Sequence, residues 1–261
     1  MESGLDFHDM KALLEWQVEM GATEAIGETP VNRYDVPGEA PKPKAAALAA
    51  APASAAQDGP DPVETARRMA AGATDLEALR AAVAAFDLCD LKRGARNTVF
   101  ADGNPHARVM VIGEAPGRDE DIAGLPFVGR AGRLLDRMFA AIGLSRGGEG
   151  AEALYITNIM PWRPPQNREP APVEIAMMLP FVERHVALAA PEVIVLMGNT
   201  ACQGMLGRKG ITRLRGTWTE AAGHPAMPMF HPAYLLRNPA AKREAWADLL
   251  EIRARLAEGA E

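Results

Sequence analysis

Four short apolar runs, RVMVIG (108–113), ALYITNI (153–159), EVIVLMG (192–198) and MPMF (227–230), recur along this chain, and each gives way to a loop. Helical patterns come after them: AGRLLDRMFAAIG, PVEIAMMLPFVERHVALAA, NTACQGMLG and PAAKREAWADLLEIRARL. Buried strands alternating with helices predict an α/β domain, three layers αβα, with a central, mainly parallel four-stranded sheet. Sheets of this kind bind ligands beyond the carboxyl ends of their strands. The residues just past each strand end are therefore the informative part of the sequence.

The rest of the chain divides around that domain. Residues 1–27 contain FHDMKALLEWQVEMGATEAI, whose Leu13, Leu14 and Val18 have helical spacing and predict an amphipathic helix. Residues 28–60 are rich in Pro and Ala and nearly free of large apolar side chains, as expected of a flexible linker. Residues 61–261 form the expected main domain, opened by helices in DPVETARRMAAGATDLEALRAAVAAF. No apolar run approaches the roughly 20 residues of a membrane span, and the acidic start MESGLDFHDMK lacks the order of a signal peptide. With two cysteines, Cys89 and Cys202, a disulfide framework is not expected and a reducing cytoplasm fits best.

A net charge of −6 argues against a nucleic-acid partner until it is divided. Residues 1–62 carry 11 acidic and 4 basic residues, whereas the remainder carries 23 and 24. The run GMLGRKGITRLRG holds Arg208, Lys209, Arg213 and Arg215 without an acid. Local fields of this kind steer polyanions better than the total charge does, although such a run is also compatible with an ordinary solvated loop.

The first strand leads into GEAPGRDEDIAGLPFVG, the second ends on Asn158, and the fourth leads to His231. Glu114, Glu120, Phe127, Asn158 and His231 are thus expected on one edge of the sheet. Each alone could be a solvated carboxylate, a turn residue, a core aromatic or a capped strand end; together they mark a ligand site. The consecutive Asp119, Glu120 and Asp121 would diverge rather than share an ion, so no metal is expected. GxxxxGK[ST] and GxGxxG are both absent, which weakens a nucleotide reading.

GEAPGRDEDIAGLPFVGRAG, YITNIMPWRPPQNREP, ITRLRG and FHPAYLLRNPAAK, in this order, resemble the motifs of the family-4 uracil-DNA glycosylases over about residues 82–258. That resemblance implies an enzyme that flips uracil out of DNA and hydrolyses its N-glycosidic bond, leaving an abasic site. It implies a catalytic pair, Glu114 and His231, and a uracil pocket of Gly113, Glu114, Ala115, Pro116, Gly117, Glu120, Phe127, Asn158 and His231. Asn158 would read the Watson–Crick edge, Phe127 would stack on the base, and His231 would donate toward O2. Arg163, Arg168, Arg213, Arg215 and Arg237 would meet the DNA, with Leu235 and Leu236 as a wedge in the gap left by the uridine. The competing reading is that these leucines start a buried helix.

The sequence also departs from that family. The resemblance implies four cysteines holding a four-iron, four-sulfur cluster, but Phe86, Cys89, Trp162 and Met178 stand at those positions. One thiolate cannot hold such a cluster, so no cofactor is expected, and the bulky trio is expected to fill the space. No KRRIH-type insertion comes after the Asn158 strand, so the DNA-crosslinking branch is not matched, and Leu125 stands where an Arg is common before the stacking Phe. The expected partners are uracil-containing DNA, with uracil and abasic-site DNA as products. The N-terminal helix is left for this domain or for a repair or replication partner, and no membrane is expected. The chain is expected to be a monomer, cytoplasmic and at the bacterial nucleoid. A non-catalytic sensor of uracil or abasic sites is the alternative function.

Overall fold

The computed structural model describes residues 60–258. The expected N-terminal helix and nearly all of the linker lie outside the described residues. Two helices open the domain, α1 (Pro62–Ala71) and α2 (Leu76–Ala85), each capped by an aspartate. Asp61 accepts from the Val63 N–H at 3.0 Å and Asp75 from the Ala78 N–H at 2.8 Å, which satisfies amide groups a helix start leaves free. A short α3 (Leu91–Gly94) leads to β1 (Ala101–Gly103) and β2 (Val109–Gly113). Then come α4 (Arg118–Ala123), α5 (Arg130–Ala140), β3 (Leu154–Asn158), α6 (Pro172–Ala189) and β4 (Val193–Met197). The chain ends with α7 (Asn199–Leu206), α8 (Ile211–Leu214), β5 (Thr219–Ala221), β6 (His224–Met229), α9 (Pro232–Arg237) and α10 (Lys242–Glu258).

The sheet has six strands in the order β1-β3-β2-β4-β6-β5. Its centre is the expected parallel set β3-β2-β4-β6, and the expected count of four is corrected by an antiparallel strand at each edge. Both additions are three residues long, ADG and TEA, and carry too little apolar sequence to signal a strand. They form because their backbones complete the edges of β3 and β6. Gly103 is needed for the first, since a Cβ there would lie 2.1 Å from the Leu154 carbonyl oxygen. Strand β6 also begins earlier than MPMF suggests, because Pro225 and Pro228 lack an N–H and mask a strand pattern.

All five residues of β2, β3 and β4 are buried, as double coverage requires. Alternation divides them between two cores: Met110, Ile112, Ile194 and Leu196 face one, and Val109, Val111, Val193 and Val195 the other. The first core is closed by α1, α2, α6 and α7, through residues such as Leu79, Val83, Phe181 and Cys202. The second is closed by α5, α9 and α10 through Leu135, Phe139, Leu235, Leu249 and Ile252. Both cysteines are free and buried. Among the described residues, no helix is long and apolar enough to cross a membrane.

Candidate active site

The parallel strands deliver four chain segments to one edge, and a cavity of about 560 Å³ opens there. Its wall includes Glu114, Ala115, Pro116 and Gly117 after β2, Asn158 at the end of β3, Gly198–Thr200 after β4 and His231 after β6. Glu120 on α4 and Phe127 in the loop after it also line the wall. Gly113 lies beneath rather than in the wall. A Cβ on it would come within 2.4 Å of Asn158 Oδ1 and 2.5 Å of the Phe127 ring, so only glycine lets these two groups close together.

Phe127 is buried and held at φ 55°, in the left-handed region that a bulky side chain avoids. Its conformation is imposed from two sides. Arg146 donates to the carbonyls of Pro126 and Phe127, both at 3.0 Å, while pairing with Asp102 and Asp136 at 2.7 Å. Gly132 makes room beneath, where a Cβ would sit 1.6 Å from the Phe127 oxygen. Glu120 ties the same loop shut by accepting from the N–H groups of Gly117 at 3.1 Å and Gly129 at 2.9 Å. It is a strut as well as a wall. The other acids of that run diverge: Asp121 turns inward to the backbone of Arg96 and Asn97, and Asp119 is exposed. Among the described residues no group of three or more His, Cys, Asp or Glu could hold a metal ion.

Asn158 is 6% exposed, and its Oδ1 has no hydrogen-bond partner among the described residues. A buried acceptor left empty costs about 1–3 kcal/mol, so a donor from a ligand is its natural complement. His231 caps α9, its Nδ1 accepting the Ala233 N–H at 3.1 Å. That bond fixes the tautomer with the proton on Nε2. Burial, helped by Arg237, pulls the imidazole pKa down to about 4, so the ring is neutral near pH 7. It stacks on Phe127 with centroids 5.4 Å apart. Glu114 accepts from the Thr200 hydroxyl at 2.8 Å. Desolvation pushes its carboxyl above the usual range, opposed by that hydrogen bond.

The expected DNA-contacting residues separate. Arg168 and Arg237 line the cavity, Arg163 bonds Asn167 Oδ1 at 2.8 Å beside it, and Arg213 is exposed. Arg215 turns inward instead: it pairs with the buried Asp248, donates to the Glu244 carbonyl at 2.9 Å and covers the Phe230 ring. A guanidinium so occupied is a strut for the segment leading to His231, which corrects its assignment as a phosphate contact. Leu235 is likewise corrected. It is 0% exposed and belongs to the second core, while Leu236 is only half-buried and Arg237 exposed. One residue of helix turns the side chain by about 100°, so adjacent leucines cannot share an outward direction.

Thr200 and Arg146 were not identified from the sequence. Thr200 could have been, since it comes after β4 as Glu114 comes after β2. Arg146 lies 19 residues beyond the phenylalanine it clamps, and only the folded chain joins them.

Residues 100–250 match the family model of the uracil DNA glycosylase superfamily. A type-4 uracil-DNA glycosylase of Archaeoglobus fulgidus is 38% identical over 173 residues, 63% of this chain and 84% of the relative. That of Thermotoga maritima is 40% identical over 153 residues, 58% and 77% of the two chains. That of Sulfurisphaera tokodaii is 35% identical over 188 residues, 68% and 83% of the two. The chain belongs to the uracil-DNA glycosylase superfamily.

The four positions that the family-4 resemblance assigns to cluster ligands do not fit such a group. Phe86, Cys89, Trp162 and Met178 are each 1% exposed within the first core. Phe86 packs edge-on against Phe181 at 5.5 Å, and the Trp162 N–H donates to Thr98 at 3.1 Å. Burial pushes the one thiol, Cys89, upward, away from the thiolate a metal needs.

Proposed function

We propose that this protein is a uracil-DNA glycosylase that hydrolyses the N-glycosidic bond of a flipped deoxyuridine without an iron–sulfur cluster. The buried, unpartnered Asn158 carbonyl carries the reading. Uracil N3–H supplies the missing donor, while the Asn158 amide N–H donates to O4. Cytosine presents the reverse pattern, an acceptor at N3 and an amine at C4, and would leave buried groups unpaired. Phe127 stacks on the base from its strained perch.

Breaking N1–C1′ leaves negative charge on uracil N1 and O2 and positive charge on the sugar. Neutral His231 donates Nε2–H toward O2, a preorganised donor in a site shielded from water. Glu114 lies across the cavity, where a carboxylate favours the sugar cation or orients the water that adds to C1′. The water's oxygen becomes the new hydroxyl of the abasic sugar, and its proton neutralises the departing base. Leu236 and Arg237 project from α9 toward the gap in the duplex, with Arg163 and Arg213 on flanking phosphates and Arg168 turning the exposed side of its Glu174-bound guanidinium to them. The protein works as a monomer on chromosomal DNA in the cytoplasm, and the N-terminal segment serves a repair or replication partner.

Release of uracil from single- and double-stranded oligonucleotides, followed by alkaline cleavage at the abasic site, tests the activity. Tight binding without release would identify a sensor instead and end the enzymatic reading. For specificity, Asn158→Asp removes the donor to O4, and uracil excision is expected to fall roughly 10- to 100-fold, the scale of one buried hydrogen bond left unmade. Cytosine excision becomes detectable in the same variant. Unchanged uracil kinetics would show that another residue reads the base.

A further inference from the structure

We propose that Thr200 is a positioning residue for uracil excision, its hydroxyl donating the hydrogen bond that keeps the Glu114 carboxylate in its charged form for the sugar side of the reaction. The proposal rests on the glycosylase reading of the cavity. Thr200 is 1% exposed, the second residue of α7. Its Oγ1 donates to Glu114 Oε2 at 2.8 Å, and among the described residues it is the one side-chain hydrogen-bond partner of that carboxylate. The turn between β4 and α7 makes this reach feasible. Gly198 there adopts φ 90°, and a Cβ on it would approach His231 Cβ to 3.1 Å. One turn therefore brings Thr200 and His231 to the same cavity.

The other charged groups around Glu114 are already committed or offset. Glu169 and Lys209 pair with each other at 2.6 Å and pull Glu114 in opposite directions. Glu120 is bound to Gly117 and Gly129, Arg168 to Glu174, and His231 is neutral. Arg237 lies on the same wall. Burial raises the Glu114 pKa, and the Thr200 hydrogen bond is the largest influence opposing it. A hydrogen bond to a carboxylate favours its charged form, and only that form can steady a sugar cation or accept a proton from water.

The test is single-turnover excision across roughly pH 5 to 9 for the parent, Thr200→Val, Thr200→Ala and Thr200→Ser, with the Glu114 carboxyl titration followed by carbon NMR. A raised folded-state carboxyl pKa moves the acid limb to higher pH. Thr200→Val is expected to run about tenfold slower on that limb, one pKa unit's worth, yet match the parent on the alkaline plateau with an unchanged half-saturating enzyme concentration. Thr200→Ala, which relieves any strain from the branched side chain, gives the same displacement, and Thr200→Ser restores the parent profile. The Glu114 titration moves upward in the Val and Ala variants and not in Ser. A profile and a Glu114 titration that ignore the loss of the hydroxyl, or a loss equal at every pH, would overturn the proposal. An inactive parent removes the glycosylase reading and this proposal together; an active parent indifferent to Thr200 removes this one alone.

Discussion

His231→Ala lowers single-turnover uracil excision by roughly 100- to 1000-fold, the scale for removing one preorganised donor at a developing anion. Affinity for uracil DNA changes far less, because a neutral N–H gains most of its strength only as charge appears on O2. Two features of the fold prepare this donor. The Ala233 N–H occupies Nδ1 at 3.1 Å, and burial holds the pKa at about 4. A depressed histidine pKa means the neutral form persists as pH falls from 7 until about 4, so His231 does not set an acid limb above about pH 5. Glu114, whose carboxyl burial displaces upward against the Thr200 hydrogen bond, is the cavity group expected to titrate on the acid side. The depressed His231 pKa has a cost in stability: below the unfolded value near 6.5, the unfolded chain takes up a proton that folded His231 refuses until about pH 4, so stability declines on acidification. An equal loss of binding and rate in His231→Ala would point to docking or folding, since the ring also caps α9 and packs on Phe127.

Trp162→Ala costs about 3–5 kcal/mol, the usual range for truncating a large core aromatic. That is comparable with the whole stability of many domains, about 5–15 kcal/mol, so the variant approaches global unfolding by denaturant titration. The indole is 1% exposed and fills the first core beside α6, and its N–H loses Thr98 as well. On the cluster-free reading proposed above, this residue, with Phe86 and Met178, supplies by packing what metal ligation would supply. Cys89→Ser is expected to cost much less, about 1–2 kcal/mol for burying a hydroxyl in place of a thiol, and to leave excision nearly intact. A stability loss in Trp162→Ala of less than about 1 kcal/mol would fall outside the range for such a truncation and contradict that role for the indole.

The central strands were legible because VMVIG and VIVLM are apolar without interruption, a pattern that burial on both faces demands. The placing of Glu114, Asn158 and His231 on one edge of the sheet was legible too, since they stand at or just past strand ends and strand ends face the cavity. The edge strands were not, because ADG and TEA are held by neighbours' backbones rather than by their own side chains. Leu235 and Leu236 look equivalent in HPAYLLR, and only the helical turn sends one into the core. Arg213 and Arg215 divide for a comparable reason: the buried partner of Arg215, Asp248, lies 33 residues away on α10. Long-range pairing of this kind leaves no local mark, and it is also what hid Arg146.

The central claim is that the pocket alone carries excision, with no iron–sulfur cluster behind it. The most direct measurement determines iron and sulfide content and single-turnover uracil excision on one preparation, purified without air and assayed before and after a strong chelator. The account predicts protein with less than about 0.1 iron per chain, far from the four of such a cluster, and with the same excision rate in both assays. Roughly four iron per chain, lost together with activity on chelation or in Cys89→Ser, would contradict it.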